Sequence, residues 1–90
     1  MKQKKGLVLR EVCGEKVIIG EGLGAVDFGN MIVLNETAVW IWEKATELGN
    51  FTAEQMAEAL CKEYAVDQET AIHDINELFK VWQEKGLIEN

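Results

Sequence analysis

Carboxylates are plentiful in this chain, but the other side chains that most often carry out covalent or acid–base chemistry are few and poorly spaced for it. Serine is absent, so no serine nucleophile exists. Cys13 and Cys61 lie far apart in sequence and match no metal-binding or redox spacing; both read as reduced, partly buried thiols. His73 is the single histidine, and a metal ligand needs partners such as Cys, His or carboxylate one helical turn away. Asn76 and Glu77 occupy those positions, a poor set with a single carboxylate, so His73 reads as a surface or half-buried structural residue. The run Gly20-Glu21-Gly22-Leu23-Gly24 invites comparison with a dinucleotide-binding loop. That loop must join a strand to a helix, so that the helix N-terminus meets the pyrophosphate. Here the glycines fall between two strand-like segments and Ala25 takes the place of the last glycine, which fits a hairpin connection. The carboxylates of the helical half mostly oppose its apolar stripes, as solvated faces do. The residues therefore predict no enzyme, no metal site and no cofactor.

Charge narrows the range of partners. The chain has 16 acidic against 9 basic residues, a formal net charge of −7. A nucleic-acid binder normally draws on several Lys or Arg contacts to phosphate, and an acidic chain starts with an opposing field. The basic cluster Lys2, Lys4 and Lys5 sits in the segment 1–6, which reads as a flexible N-terminal arm preceding a single domain over 7–90. Nucleic acid is not expected as a partner. The apolar run behind the arm, Leu7-Val8-Leu9, is cut by Arg10 and Glu11, far short of the roughly 7–15 residues of a secretory signal. No stretch approaches the ~20 apolar residues of a membrane span. No membrane is expected, and a cytoplasmic protein is the simplest reading.

The elements that would position any site fall into two halves. From Leu7 to Leu34 the pattern is that of strands. Leu7 to Cys13 is the first, Gly14-Glu15 offers a turn, Lys16 to Ile19 is the second, and about Ala25 to Leu34 the third. After Asn35 the apolar period changes from 2 to about 3.6. Asn35 can cap a helix through Leu48 with Gly49 behind it, its stripe being Ala38, Ile41, Trp42, Ala45 and Leu48. Thr52 and Gln55 form a capping-box pair opening a second helix with Met56, Ala57, Leu60 and Tyr64 inward. Asp67 caps a third, running to about Lys85 with Ala71, Ile72, Ile75, Leu78, Phe79 and Trp82 as its stripe. The fold class is α+β: a three-stranded antiparallel β-meander followed by three helices.

Two features stand out from that frame. Trp40 points away from the centre of the first helix's stripe, which leaves it either packed under the sheet or exposed as part of a partner-binding surface. A meander of three strands also has edges with backbone groups that lack partners. The third strand carries no lysine or proline across Phe28 to Leu34 to protect its edge. Such an edge is covered by the chain's own helices or open to strand addition by a peptide.

At Val33-Leu34-Asn35-Glu36-Thr37-Ala38, followed by Ile41-Trp42, the sequence resembles the Leu-Asn-x-Thr-Ala signature of the PqqD family. Thr52 to Gln55, Tyr64 to Asp67, Asp74-Ile75, Leu78-Phe79 and Lys85 to Ile88 fit the same pattern, so the resemblance covers roughly Leu7 to Ile88. It implies a winged-helix-like domain that serves as a recognition element for ribosomally made, post-translationally modified peptides. It further implies that the leader segment of a precursor peptide adds to the third strand, packs against the third helix, and is presented to a modifying enzyme, in the founding case a radical SAM protein. Carried onto this chain, the groove is expected at Gly29, Asn30, Met31, Ile32 and Val33, with Ile72, Asn76, Phe79 and Lys80 on the helix. Two other readings compete: a winged-helix DNA-binding transcription factor, and a structural module that dimerises through the exposed strand. The sequence leaves monomer and homodimer equally open.

Overall fold

The structure is a computed structural model, and it describes residues 1–20 and 32–89. In chain order the elements are β1 (Lys2–Gln3), β2 (Leu7–Val12), β3 (Glu15–Gly20), β4 (Ile32–Leu34), α1 (Glu36–Leu48), α2 (Ala53–Tyr64), α3 (Gln68–Glu84) and β5 (Ile88–Glu89). The antiparallel sheet β2-β3-β4 followed by three helices is the α+β architecture the sequence predicts. A small ribbon of β1 and β5 is added to it.

Local side-chain chemistry sets the helix starts. The Asn35 side chain accepts from the Ala38 N–H at 2.8 Å. Thr52 and Gln55 satisfy each other's backbone N–H groups, as the capping box requires. The Asp67 carboxylate accepts from the Thr70 N–H at 2.7 Å and from its hydroxyl at 3.1 Å. Each cap fills a donor that the first helical turn cannot satisfy internally. The helices then bury one stripe each, and the core is joined by a chain of rings. Trp42 of α1 meets Trp82 of α3 edge-on at 5.3 Å, Trp82 stacks with Phe79 at 5.6 Å, and Phe79 meets Phe51 at 5.3 Å. Such ring pairs contribute about 0.5–1.5 kcal/mol each beyond the area they bury. Two expected core positions fall outside it: Leu48 ends α1 in solvent, and Tyr64 is 40% exposed at the end of α2.

The turn between β2 and β3 differs from the sequence reading by one residue. Val12 pairs with Glu15, so the two-residue turn is Cys13-Gly14, which leaves Cys13 exposed and not partly buried as expected. Both carry positive φ, 52° and 82°, the requirement of a type I′ turn. In a hairpin with a two-residue loop the flanking residues exchange both hydrogen bonds, and the pattern alternates from there. Val17 and Ile19 therefore bond towards β2, while Lys16 and Ile18 bond towards their β4 partners, Leu34 and Ile32.

The N-terminal segment is not the frayed arm expected of it. Met1 and Phe51 exchange two backbone hydrogen bonds of 2.8 Å, and the Lys4 N–H donates to the Leu87 carbonyl at 2.9 Å. The Gln3 amide donates to the Trp42 carbonyl and to the Thr46 hydroxyl, both at 2.9 Å. This strap ties the C-terminal end of α1, the loop before α2 and the chain after α3 at one place. Its partners lie far away in sequence, which is why composition alone made it look unattached.

Two outcomes follow from these local features. Asn tolerates the left-handed region better than Cys and leads the preferred Asn-Gly pair of type I′ turns. Cys13→Asn should raise stability by about 0.5–1 kcal/mol, read as a higher urea midpoint with an unchanged slope. The Asp67 carboxyl is held below the usual aspartate range, chiefly by the Thr70 N–H and then by the Thr70 hydroxyl. Because the folded-state value is the lower one, the cap contributes fully above the ordinary aspartate range. It is lost as pH falls through that lowered value. Asp67→Asn should remove this step from the acid end of a stability–pH curve and leave neutral stability little changed.

Candidate functional site

Consider first where the sheet stops. The strand order places β4 at one edge, paired with β3 alone among the described residues. Lys16 and Ile18 bond to Leu34 and Ile32, so the residue between them, Val33, turns its N–H and C=O to the open side. Val33 is also 55% exposed, whereas its cross-strand neighbour Val17 is buried. The opposite edge, β2, carries the charges of Arg10 and Glu11, the kind of residues that discourage edge pairing. The described part of β4 has no such guard.

The segment after β4 fixes its direction. Leu34 is buried, Asn35 caps α1, and Ala38 is buried again. The Leu-Asn-Glu-Thr-Ala element thus anchors the strand on one side of the cap and the helix on the other. α1 then divides its neighbours between two flanks. Trp40 and Lys44 face α2, where Trp40 meets Tyr64 edge-on at 5.7 Å above an open hollow of about 340 Å³. Val39 lies on the other flank, with Gly14, Lys16 and Val33 around a hollow of about 650 Å³. Trp40 is therefore half-buried by α2, and not by the sheet as the sequence reading expected.

Helix α3 packs chiefly on α2 and has two unlike flanks. At about 100° per residue, Ile72, Asn76 and Gln83 share one strip, and Asp74, Leu78, Val81 and Lys85 share another. Gln83 reaches the Met1 sulfur at 3.6 Å, beside Phe51 at the entrance to α2, and Gln68 meets Cys61 of α2 at 3.7 Å. The strip of Ile72 and Asn76 is thus the one nearer α2. Trp82, towards the other strip, meets Trp42, on the α1 flank that faces β1. Beyond Trp82 lie half-buried Leu78 and Val81, which is 42% exposed.

A family model described as coenzyme PQQ synthesis protein D (PqqD) matches residues 14–88. The chain belongs to the PqqD family. A solved structure described as TbiB1 in complex with the TbiA(beta) leader peptide shares its fold, with a TM-score of 0.76 and 24% sequence identity. The match covers 100% of this chain and 96% of that one. No curated protein sequence matches the chain.

In this PqqD-family chain the expected groove residues have different fates. Gly29, Asn30 and Met31 lie outside the described residues. Ile32 is half-buried against the core and Val33 is open at the edge. Ile72 is half-buried, and Asn76 and Lys80 are exposed, all on one side of α3. Phe79, expected on the groove wall, is instead a core residue: it is 3% exposed and held between Phe51 and Trp82. Leu78, assigned to the core stripe, is only half-buried, and Val81 is 42% exposed.

The cap at Asn35 should matter to the PqqD-family site as well as to the helix. Asn35→Ala should cost about 1 kcal/mol in urea unfolding, and Asn35→Asp should recover most of it.

Proposed function

We propose that this chain is a peptide-binding domain that holds the leader segment of a ribosomally made precursor and presents it to a modifying enzyme. The observation that carries the reading is the open edge of β4 at Val33, whose backbone donor and acceptor face outward. A peptide laid along this edge would gain main-chain hydrogen bonds whatever its sequence, each worth about 0.5–1.5 kcal/mol net. Side chains alternating along the added strand would then fix the register. Family membership supports the reading, as does the shared fold with a structure described as holding a leader peptide.

In this reading the domain contributes no reacting group. Among the described residues no three of His, Cys, Asp and Glu come together as a metal site would need. Also among them, no helix is long and apolar enough to cross a membrane. The groove would run along β4 from Gly29 to Val33 and be closed by α3, through the side of Ile72, Asn76 and Lys80 or the side of Leu78. The receiving enzyme would carry out the chemistry, and a radical SAM enzyme is the type that the family resemblance favours.

The test uses the outward N–H of Val33. Proline there removes a donor that none of the described residues uses, because β3 bonds to Ile32 and Leu34 instead. With peptides covering the leader of a short precursor encoded beside the gene, the amides of residues 32–35 should shift on titration. Val33→Pro should keep the far-ultraviolet circular dichroism of the parent and weaken binding at least about tenfold. If those amides stay still at saturating peptide, or if Val33→Pro folds and binds like the parent, the β4 edge is not the site.

A further inference from the structure

The hollow of about 650 Å³ beside Val33 sits where β4 turns into α1, and two elements build it. The sheet supplies Val33 and Glu15, which share a face: Val33 pairs with Val17, and Glu15 stands two residues from Val17 on the same strand. Helix α1 supplies Glu36 and Val39, three residues apart and so on one side of the helix. The apolar lining is exposed Val33 and half-buried Val39. The charged lining is unbalanced. Glu15 and Glu36 are both exposed, and neither has an ion-pair partner among the described residues. Lys16 also borders the hollow, but it points to the face opposite Glu15, where it pairs with Glu11 at 3.6 Å.

Resting on the reading of β4 as a peptide-binding edge, we infer that this hollow receives a long cationic side chain, Arg or Lys, of the bound peptide. The sheet sets the position. A peptide residue opposite Val33 bonds to its outward N–H and C=O and turns its side chain to the face of Val33. The next peptide residue on that face lies two positions along, level with Asn35, where the strand gives way to the helix cap. Continuing the register of β3 and β4 puts Glu15 level with Asn35 as well. Neighbouring strands lie about 4.8 Å apart, so β3 and the peptide backbone stand roughly 10 Å apart with β4 between them. A side chain that crosses this gap to meet Glu15 is long, apolar along its stem and positive at its tip. Its methylenes then lie on Val33 and Val39, and its charge meets Glu15 and Glu36. A short apolar residue would not reach across β4, and an anion would meet two carboxylates.

The hollow is continuous with the edge, because Val33 belongs to both, and none of the described residues of α3 lines it. It adds a choice of side chain to an edge that otherwise reads main chain. The net charge of −7 acts in the same direction, drawing a cationic segment towards the chain. Exposed ion pairs are weak singly and screened by salt, so this one acts modestly on affinity and more strongly on encounter and register.

The probe is a peptide covering the leader of the precursor encoded beside the gene, made as a scan with Lys, Glu or norleucine at each position in turn. Fluorescence anisotropy with the full 90-residue chain should find one position at which Lys binds roughly three- to tenfold tighter than Glu or norleucine. That preference should fade at high salt. The methylenes of this Lys should show nuclear Overhauser contacts to the methyl groups of Val33 and Val39. On the double variant Glu15→Lys, Glu36→Lys the preference should turn to Glu. Glu15→Gln and Glu36→Gln, gentler at the start of α1, should each reduce it, and unchanged far-ultraviolet circular dichroism will show that the variants fold. If the peptides shift the Val33 amide but no position prefers Lys, or norleucine binds there as well as Lys, the inference is overturned and the β4 reading stands. If no peptide of the scan shifts the Val33 amide, the β4 reading fails, and this inference with it.

Discussion

The alternation of hydrogen bonds in the antiparallel sheet governs most of what this molecule can do. Once Cys13 and Gly14 form the turn, Val12 and Glu15 must bond to each other, and every second residue of β3 is committed to β2. What remains of β3 is committed to Ile32 and Leu34, leaving Val33 facing outward. A shift of one residue in the turn would invert this. Val33 would then bond inward, and its neighbours would face the edge. The side chains would exchange faces too, turning Ile18 and Leu34 out of the core.

The helices were legible because their signals are local. Asn35, Thr52 with Gln55, and Asp67 each bond to a backbone N–H three residues ahead, and the sequence shows donor and acceptor together. The turn was legible in kind but not in position, since Cys is an unusual residue at positive φ and the sequence favoured the pair Gly14-Glu15. The strap at Met1 to Lys4 was not legible at all. Its partners at Phe51, Trp42 and Leu87 share no sequence neighbourhood with it.

The candidate site was legible to a different depth on each of its walls. The edge could be inferred from an unguarded strand, and β4 stands at the margin of the sheet among the described residues. The helix wall was harder, because periodicity identifies a stripe but not which of its borders a neighbour will cover. Phe79 and Leu78 are adjacent in sequence and both apolar. The first is enclosed by Phe51 and Trp82, and the second stays half-open because the strip beyond it faces away from α2. The same competition decided Trp40 and Tyr64, which shelter each other across α1 and α2.

The ribbon of β1 and β5 sets an order of assembly. Its register pairs Lys2 with Glu89, so it closes a loop of almost the whole chain. The entropy of closing so long a loop is recovered only after Phe51 and Leu87 have been brought together by the helices. The ribbon is therefore expected to form last and to open first. Its amides should exchange with solvent ahead of those in the three helices, and its opening would expose the ends of the ring chain before the sheet is disturbed.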